Sequence, residues 1–266
     1  MAAHQRFEGM TALITGGAGD IGLATATRLG EEGAAIALLD VKEDGLSKAQ
    51  HRLSEKNITS QTYRCDVTDY QEVRGTVESI VSEFGGIDLL FNNAGYQGVF
   101  EPLPNYPAED FTKVIEINLI GAFHVLQVVS GHMMERRFGR IVNTASMAGV
   151  DGPPNMAGYG ASKFAIIGLT QTAAKDLAPY NVRVNAISPG FMGPGYMWDR
   201  QVELQAEAGS QYFSTDPKEV AQQMIGSVPM RRYGNIEEIP GTVAYLFSED
   251  SSYITGVNIR ISGGIM

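Results

Sequence analysis

Seven short apolar runs alternating with six longer segments of helical period restrict this chain to very few folds. The runs are Met10–Thr15, Ala34–Asp40, Gln61–Cys65, Ile87–Asn92, Arg140–Ala145, Val182–Ile187 and Val257–Ile261. The helical segments are Gly22–Glu32, Gly45–Lys56, Gln71–Phe84, Ala108–Arg136, Ala157–Leu177 and Ile236–Phe247. Strands connected through helices pair in parallel by right-handed crossovers. The runs are also continuously apolar, as in Ala-Ala-Ile-Ala-Leu-Leu at 34–39, so both faces of each strand should be covered. The pattern predicts an α/β fold, a doubly wound parallel sheet of about seven strands with helices on both faces.

The alternation breaks once, at 191–227, where Gly, Pro, Met and aromatics surround a polar helical piece near Arg200–Ala208. That stretch reads as a lid. No internal repeat or linker divides the chain, and 266 residues with 44% hydrophobic content suffice for one large core. A single domain spanning 1–266 is expected.

Glycines follow the first run, in Thr15-Gly16-Gly17-Ala18-Gly19-Asp20-Ile21-Gly22. Such a turn lets backbone approach a pyrophosphate whose charge a helix N-terminus stabilises. Two registers compete: a GxGxxG beginning at Gly17, and a TGxxxGxG anchored on Thr15 that wants glycine where Asp20 stands. A carboxylate there would repel pyrophosphate unless it turned outward or served as a cap. Asp40 closes the second run, placed to accept hydrogen bonds from ribose hydroxyls and to disfavour a 2′-phosphate, which points to NAD over NADP. Asp66 and Asn92-Asn93-Ala94-Gly95 also lie at carboxyl ends of strands, where this architecture binds ligands.

Tyr159 and Lys163 stand one helical turn apart, with Ser146 upstream. An ammonium beside a phenol favours its ionised form, which normally appears only near pH ~10, so Tyr159 is a candidate general base. The formal charge of −10, without a large basic cluster, argues against nucleic acid and anionic membrane as partners. Cys65 is the single cysteine and reads as a small core side chain. Met1–Glu8 lacks the pattern of a signal peptide, and no uninterrupted apolar run reaches the ~20 residues of a membrane span, so a cytoplasmic location is expected. His4, His51, His124 and His132 show no spacing suited to a catalytic metal, and none is expected.

Taken together, Thr15–Gly22, Asp66, Asn92–Gly95, Asn118, Ser146, Tyr159 with Lys163, and Pro189-Gly190 resemble the short-chain dehydrogenase/reductase family across nearly the whole chain. The stretches 92–98, 143–150, 152–157, 189–198 and 209–218 are further similar to bacterial xylitol dehydrogenases. The resemblance implies a Rossmann fold and a tetrad of Asn118, Ser146, Tyr159 and Lys163. In it Ser146 hydrogen-bonds the reacting oxygen, Tyr159 takes the alcohol proton, Lys163 lowers the Tyr pKa and holds the nicotinamide ribose, and Asn118 interrupts its helix and holds a water relay. It implies an NAD site built from Gly16, Gly19, Asp20, Ile21, Gly22, Asp40, Val41, Asp66, Val67, Asn93, Ala94, Gly95, Pro189, Gly190 and Met192, together with Tyr159 and Lys163. Pro194 departs from the threonine many relatives carry. The implied substrate edge is Gln97, Met147, Asn155 and Trp198 beside Ser146 and Tyr159, suited to a small polyol, and the implied reaction is xylitol to D-xylulose. A homotetramer is the implied assembly. An NADPH-dependent carbonyl or 3-oxoacyl reductase and a non-enzymatic nucleotide sensor remain alternatives.

Overall fold

The computed structural model describes residues 5–266. Each apolar run forms a strand: β1 (Thr11–Thr15), β2 (Ala35–Asp40), β3 (Ser60–Arg64), β4 (Leu89–Asn92), β5 (Gly139–Thr144), β6 (Val182–Pro189) and β9 (Asn258–Ile261). They make one parallel sheet in the order β3-β2-β1-β4-β5-β6-β9. The direction of travel reverses between β1 and β4, which opens a crevice above their carboxyl ends. The strand period of two sorts the core. Ala12, Ile14, Leu89 and Phe91 pack under α1 (Asp20–Glu31), α2 (Glu43–Glu55) and α9 (Pro240–Phe247). Leu13 and Leu90 face α3 (Tyr70–Phe84), α5 (Ala122–Arg136) and α6 (Ala157–Leu177).

Boundaries differ from expectation where pairing or proline overrides local pattern. β6 runs on to Pro189 because Ser188 and Pro189 still register with Arg260 and Ile261. The segment expected as one helix at 236–247 splits into a short turn, Ile236–Glu238, and α9, whose first residue, Pro240, has no N–H to extend the turn before it. The segment expected as one helix at 108–136 is α4 (Ala108–Ile115), a π turn (Glu116–Gly121) and α5. By length and composition this stretch could cross a membrane. Here Val125, Leu126, Val129 and Met133 of its apolar side are buried in the sheet core.

The 191–227 stretch, the expected lid, holds two helices rather than one: α7 (Tyr196–Glu207) and α8 (Pro217–Ser227). The second is announced by Asp216, whose carboxylate accepts from the Lys218 N–H, and by Pro217 in the first position. Trp198, Val202, Ala206, Val220 and Met224 form a small core of their own. The lid root is stitched down by β7 (Met192–Gly193) pairing with β8 (Gly234–Asn235). The expectation of a leaderless amino terminus rests partly on residues 1–4, outside the described residues.

Candidate active site

The glycine turn sits at the floor of the crevice. Gly16 has φ +65°, and a Cβ there would meet the Ala94 backbone at 3.0 Å; a Cβ on Gly22 would be driven into the Gly16 carbonyl oxygen. Gly19 caps α1 with no side-chain oxygen, and the first helical bond runs from Leu23 N to Gly19 O. The N–H groups of the first turn are thereby left for an anion. Asp20 is exposed and aims its carboxylate at the lid: a Cβ on Gly195, at the start of α7, would lie 3.1 Å from its Oδ2. The outward orientation, rather than capping, is how this chain carries an acid in the turn.

Asp40 braces the same turn from β2, accepting from Ala18 N (3.2 Å) and Lys42 N (3.1 Å), with Val41 exposed beside it. Asp66 accepts through one oxygen from both the N–H and the hydroxyl of Thr68. Val67 is buried, its carbonyl 3.0 Å from a ring nitrogen of His124. This cradle fits a dinucleotide: close backbone, an open helix N-terminus and a carboxylate at the ribose end.

A polar line crosses the carboxyl edge of the sheet. The Thr15 hydroxyl accepts from the N–H of Asn93 (2.8 Å) and of Ala94 (3.0 Å), and Asn93 Nδ2 donates to the Thr15 carbonyl. Asn93 Oδ1 accepts from the Thr144 hydroxyl, and the Thr144 carbonyl accepts from Lys163 Nζ at 2.7 Å. Thr15 entered the sequence reading only as the anchor of the glycine turn, and Thr144 had no signal of its own, reading as an ordinary strand-end residue.

Asn118, 1% exposed, lies in the π turn. Its Oδ1 accepts from Tyr96 N (2.7 Å) and its Nδ2 donates to Tyr96 O (2.9 Å) and Ser162 Oγ (3.0 Å). One amide thus ties the loop after β4 to α6. Ser146 follows β5; its Oγ accepts from Ala148 N and lies beside the Tyr159 phenol, whose ionised form it favours. Tyr159 and Lys163 occupy successive turns of α6, the ammonium 5.6 Å from the ring centroid.

The electrostatics correct one expectation. Burial holds the Tyr159 phenol above its ordinary range, with the Ser146 hydrogen bond pulling the other way. Burial also pushes Lys163 down to about 8. The lysine spends its close contact on a carbonyl rather than on the phenol oxygen, so desolvation wins over its field.

The expected substrate edge divides. Met147 is buried, and Gln97 is 7% exposed with its Oε1 lacking any partner. Asn155, at φ +66°, is spent on the lid: its Nδ2 donates to Gln205 Oε1 and Ser210 Oγ, both at 3.0 Å. Trp198 is lid core, its ring 5.1 Å from Tyr233 and 6.1 Å from Phe191. Both side chains are engaged with the 191–227 segment, Asn155 through its Nδ2 and Trp198 through its ring. Sequence reading missed Asp110, Tyr106 and Gln205: Asp110, four residues from Tyr106, looks like an ordinary acid in a helix's first turn, and Gln205 meets Asn155 fifty residues away.

The profile of the short chain dehydrogenases matches residues 10–204. The chain belongs to the short-chain dehydrogenase family. A crystal structure of NAD+-bound xylitol dehydrogenase, 66% identical, superimposes with a TM-score of 0.97 and covers 97% of this chain and 100% of its own. Levodione reductase of Leifsonia aquatica is 38% identical over 97% of this chain and 95% of its own length. The 3-oxoacyl-acyl-carrier-protein reductase of Thermotoga maritima is 35% identical over 98% and 99%. Within this family of oxidoreductases the seven-stranded sheet and the crevice described above are the shared frame.

Proposed function

We propose that the protein is an NAD-dependent dehydrogenase that oxidises a secondary alcohol of a small polyol to a ketone, with xylitol to D-xylulose as the reference reaction. The observation that carries this reading is the convergence of Ser146, Tyr159 and Lys163 beside a glycine turn whose ribose end holds Asp40. The identity of 66% to an NAD+-bound xylitol dehydrogenase supports cofactor and substrate together. NAD supplies the acceptor for the hydride, and so for the two electrons, that leaves the carbinol carbon.

The remaining work falls to the chain. The first-turn N–H groups of α1 would hold the pyrophosphate, Asp40 would receive ribose hydroxyls, and Lys163 would hold the second ribose. Ser146 donates to the oxygen that becomes the carbonyl, and Tyr159 as phenolate takes the hydroxyl proton. Because Tyr159 titrates above its ordinary range, little phenolate exists at neutral pH. Oxidation therefore rises with pH toward the alkaline side, and reduction of the ketone, which needs the protonated phenol, falls over the same window. The lid excludes water during transfer.

We place the reaction in the cytoplasm, where NAD is plentiful and the buried thiol of Cys65 stays reduced. We propose a homotetramer, supported by Phe111, Ile120, Phe123 and Phe164, which lie 39–48% exposed on the α4–α6 side. Two relatives named as reductases favour a second reading, ketone or 3-oxoacyl reduction. A panel of polyols and secondary alcohols with NAD and NADP, followed by NADH absorbance, tests the proposal. Xylitol with NAD should turn over, NADP should be at least about tenfold worse, and Tyr159→Phe should cost about 10²–10⁴ in rate. Preference for NADPH and a thioester would reject it.

A further inference from the structure

Asp110 lies in the first turn of α4, outside the tetrad, yet three donors converge on its carboxylate. Oδ1 accepts from the Tyr96 hydroxyl at 3.2 Å, and Oδ2 accepts from Val99 N at 2.9 Å and the Tyr106 hydroxyl at 3.2 Å. Among the described residues no cation lies within ion-pair distance of it, so hydrogen bonds alone satisfy the charge. The loop is drawn tightly against it. Gly98 has φ +76°, and a Cβ there would lie 2.6 Å from Asp110 Oδ2 and 2.7 Å from Val114.

The same loop has a second anchor, the two-way pairing of Asn118 with the Tyr96 backbone. Gln97 is held between the two. Its amide oxygen is buried and has no donor among the described residues, a condition that proteins seldom tolerate unless a ligand completes it. Tyr106 extends the arrangement, because its phenol also meets the backbone of Gly158, the residue before Tyr159. One carboxylate thus registers the loop bearing Gln97 against the helical turn bearing the base.

We propose that Asp110 is a positioning residue for polyol recognition, setting the 96–99 segment so that Gln97 Oε1 accepts a hydroxyl of the substrate away from the reacting carbon. The inference rests on the polyol reading above. A plain secondary alcohol has no such hydroxyl and draws nothing from this contact, so the consequence is a specificity ratio.

The test compares wild type, Asp110→Asn, Gln97→Ala and the double variant with xylitol and with 2-butanol, each with NAD, alongside NAD affinity by calorimetry. Asp110→Asn should lower the ratio of kcat/KM for xylitol over 2-butanol about tenfold, chiefly through KM, and leave the NAD Kd within about twofold. In the Gln97→Ala background the same substitution should add little, because its effect passes through Gln97. Equal losses for both alcohols, a parallel loss of NAD affinity, or full additivity with Gln97→Ala would show a merely structural role and overturn the proposal. If Asp110→Asn does not fold, Tyr106→Phe carries the same cycle, with about a threefold change expected and additivity again fatal. A wild type that oxidises no polyol defeats the functional reading itself; an active wild type with additive losses defeats only the role of Asp110.

Discussion

Lys163 should be a residue the protein keeps at the expense of its own stability. It is 3% exposed, its ammonium has one protein partner, the Thr144 carbonyl, and burial takes it from an ordinary 10.5 to about 8. A gap of about 2.5, at ~1.36 kcal/mol per pH unit, means that keeping the charged form folded costs about 3 kcal/mol at neutral pH. Lys163→Met removes that cost, fills similar space, and gives up ~1 kcal/mol by leaving Thr144 without its donor. The variant should gain about 2 kcal/mol at pH 7, a rise of about 4–8 °C in Tm, while alcohol oxidation is lost.

The pH dependence sharpens the test. Below about pH 8 folded and unfolded chains both hold the proton, and the wild type bears the whole penalty. From there to ~10.4 the unfolded chain binds more protons, so wild-type stability rises with pH relative to the variant. Thermal unfolding of both proteins at pH 7 and pH 10 should therefore show an advantage for Lys163→Met that disappears at the higher pH. A variant that melts lower at pH 7, or one whose advantage is the same at both, would refute the reasoning.

Gly22→Ala drives a methyl into the Gly16 carbonyl and should weaken NAD binding at least about tenfold by calorimetry; an unchanged Kd would mean that the turn does not hold the dinucleotide. Asn155→Gly keeps the positive φ but leaves Gln205 and Ser210 without their donor, loosening the lid by about 1–3 kcal/mol. Proteolysis within 196–227 should then quicken about tenfold or more, and an unaltered cleavage rate would show that the clasp does not hold the lid.

The sheet was legible in the sequence because its strands are buried on both faces, and continuous apolar runs such as 34–39 have few other uses. The catalytic turn of α6 was legible because helical spacing puts Tyr159 and Lys163 together whatever else the chain does. The π turn was legible only through the resemblance, which implies an interruption at Asn118: Glu116–Gly121 continues the helical pattern, and the pairing of Asn118 with Tyr96 there is a tertiary contact. Asn155 and Trp198 looked like substrate contacts because polar and aromatic loop residues near a site have the right chemistry for it. Which way a loop side chain turns depends on what is packed against it, here Gln205 and Tyr233, and neither partner is near in sequence. The direction of the Tyr159 shift was hidden for a similar reason, since spacing reports a neighbouring charge but not the loss of water around it.

The amino-terminal edge of the sheet is held differently from the carboxyl edge. There Arg183 donates to the carbonyls of Leu246, Phe247 and Ser248, Arg140 to those of Gly139 and Asn181, and Arg136 pairs with Asp88, which also receives the Thr11 N–H. Guanidinium groups keep their charge across any pH a cell experiences, whereas the buried ammonium above the crevice, pushed down to about 8, does not. The guanidinium clamps of the base are therefore indifferent to protons, and the rim above them answers to protons. A change of pH can alter turnover at the rim without discharging the guanidinium clamps beneath it.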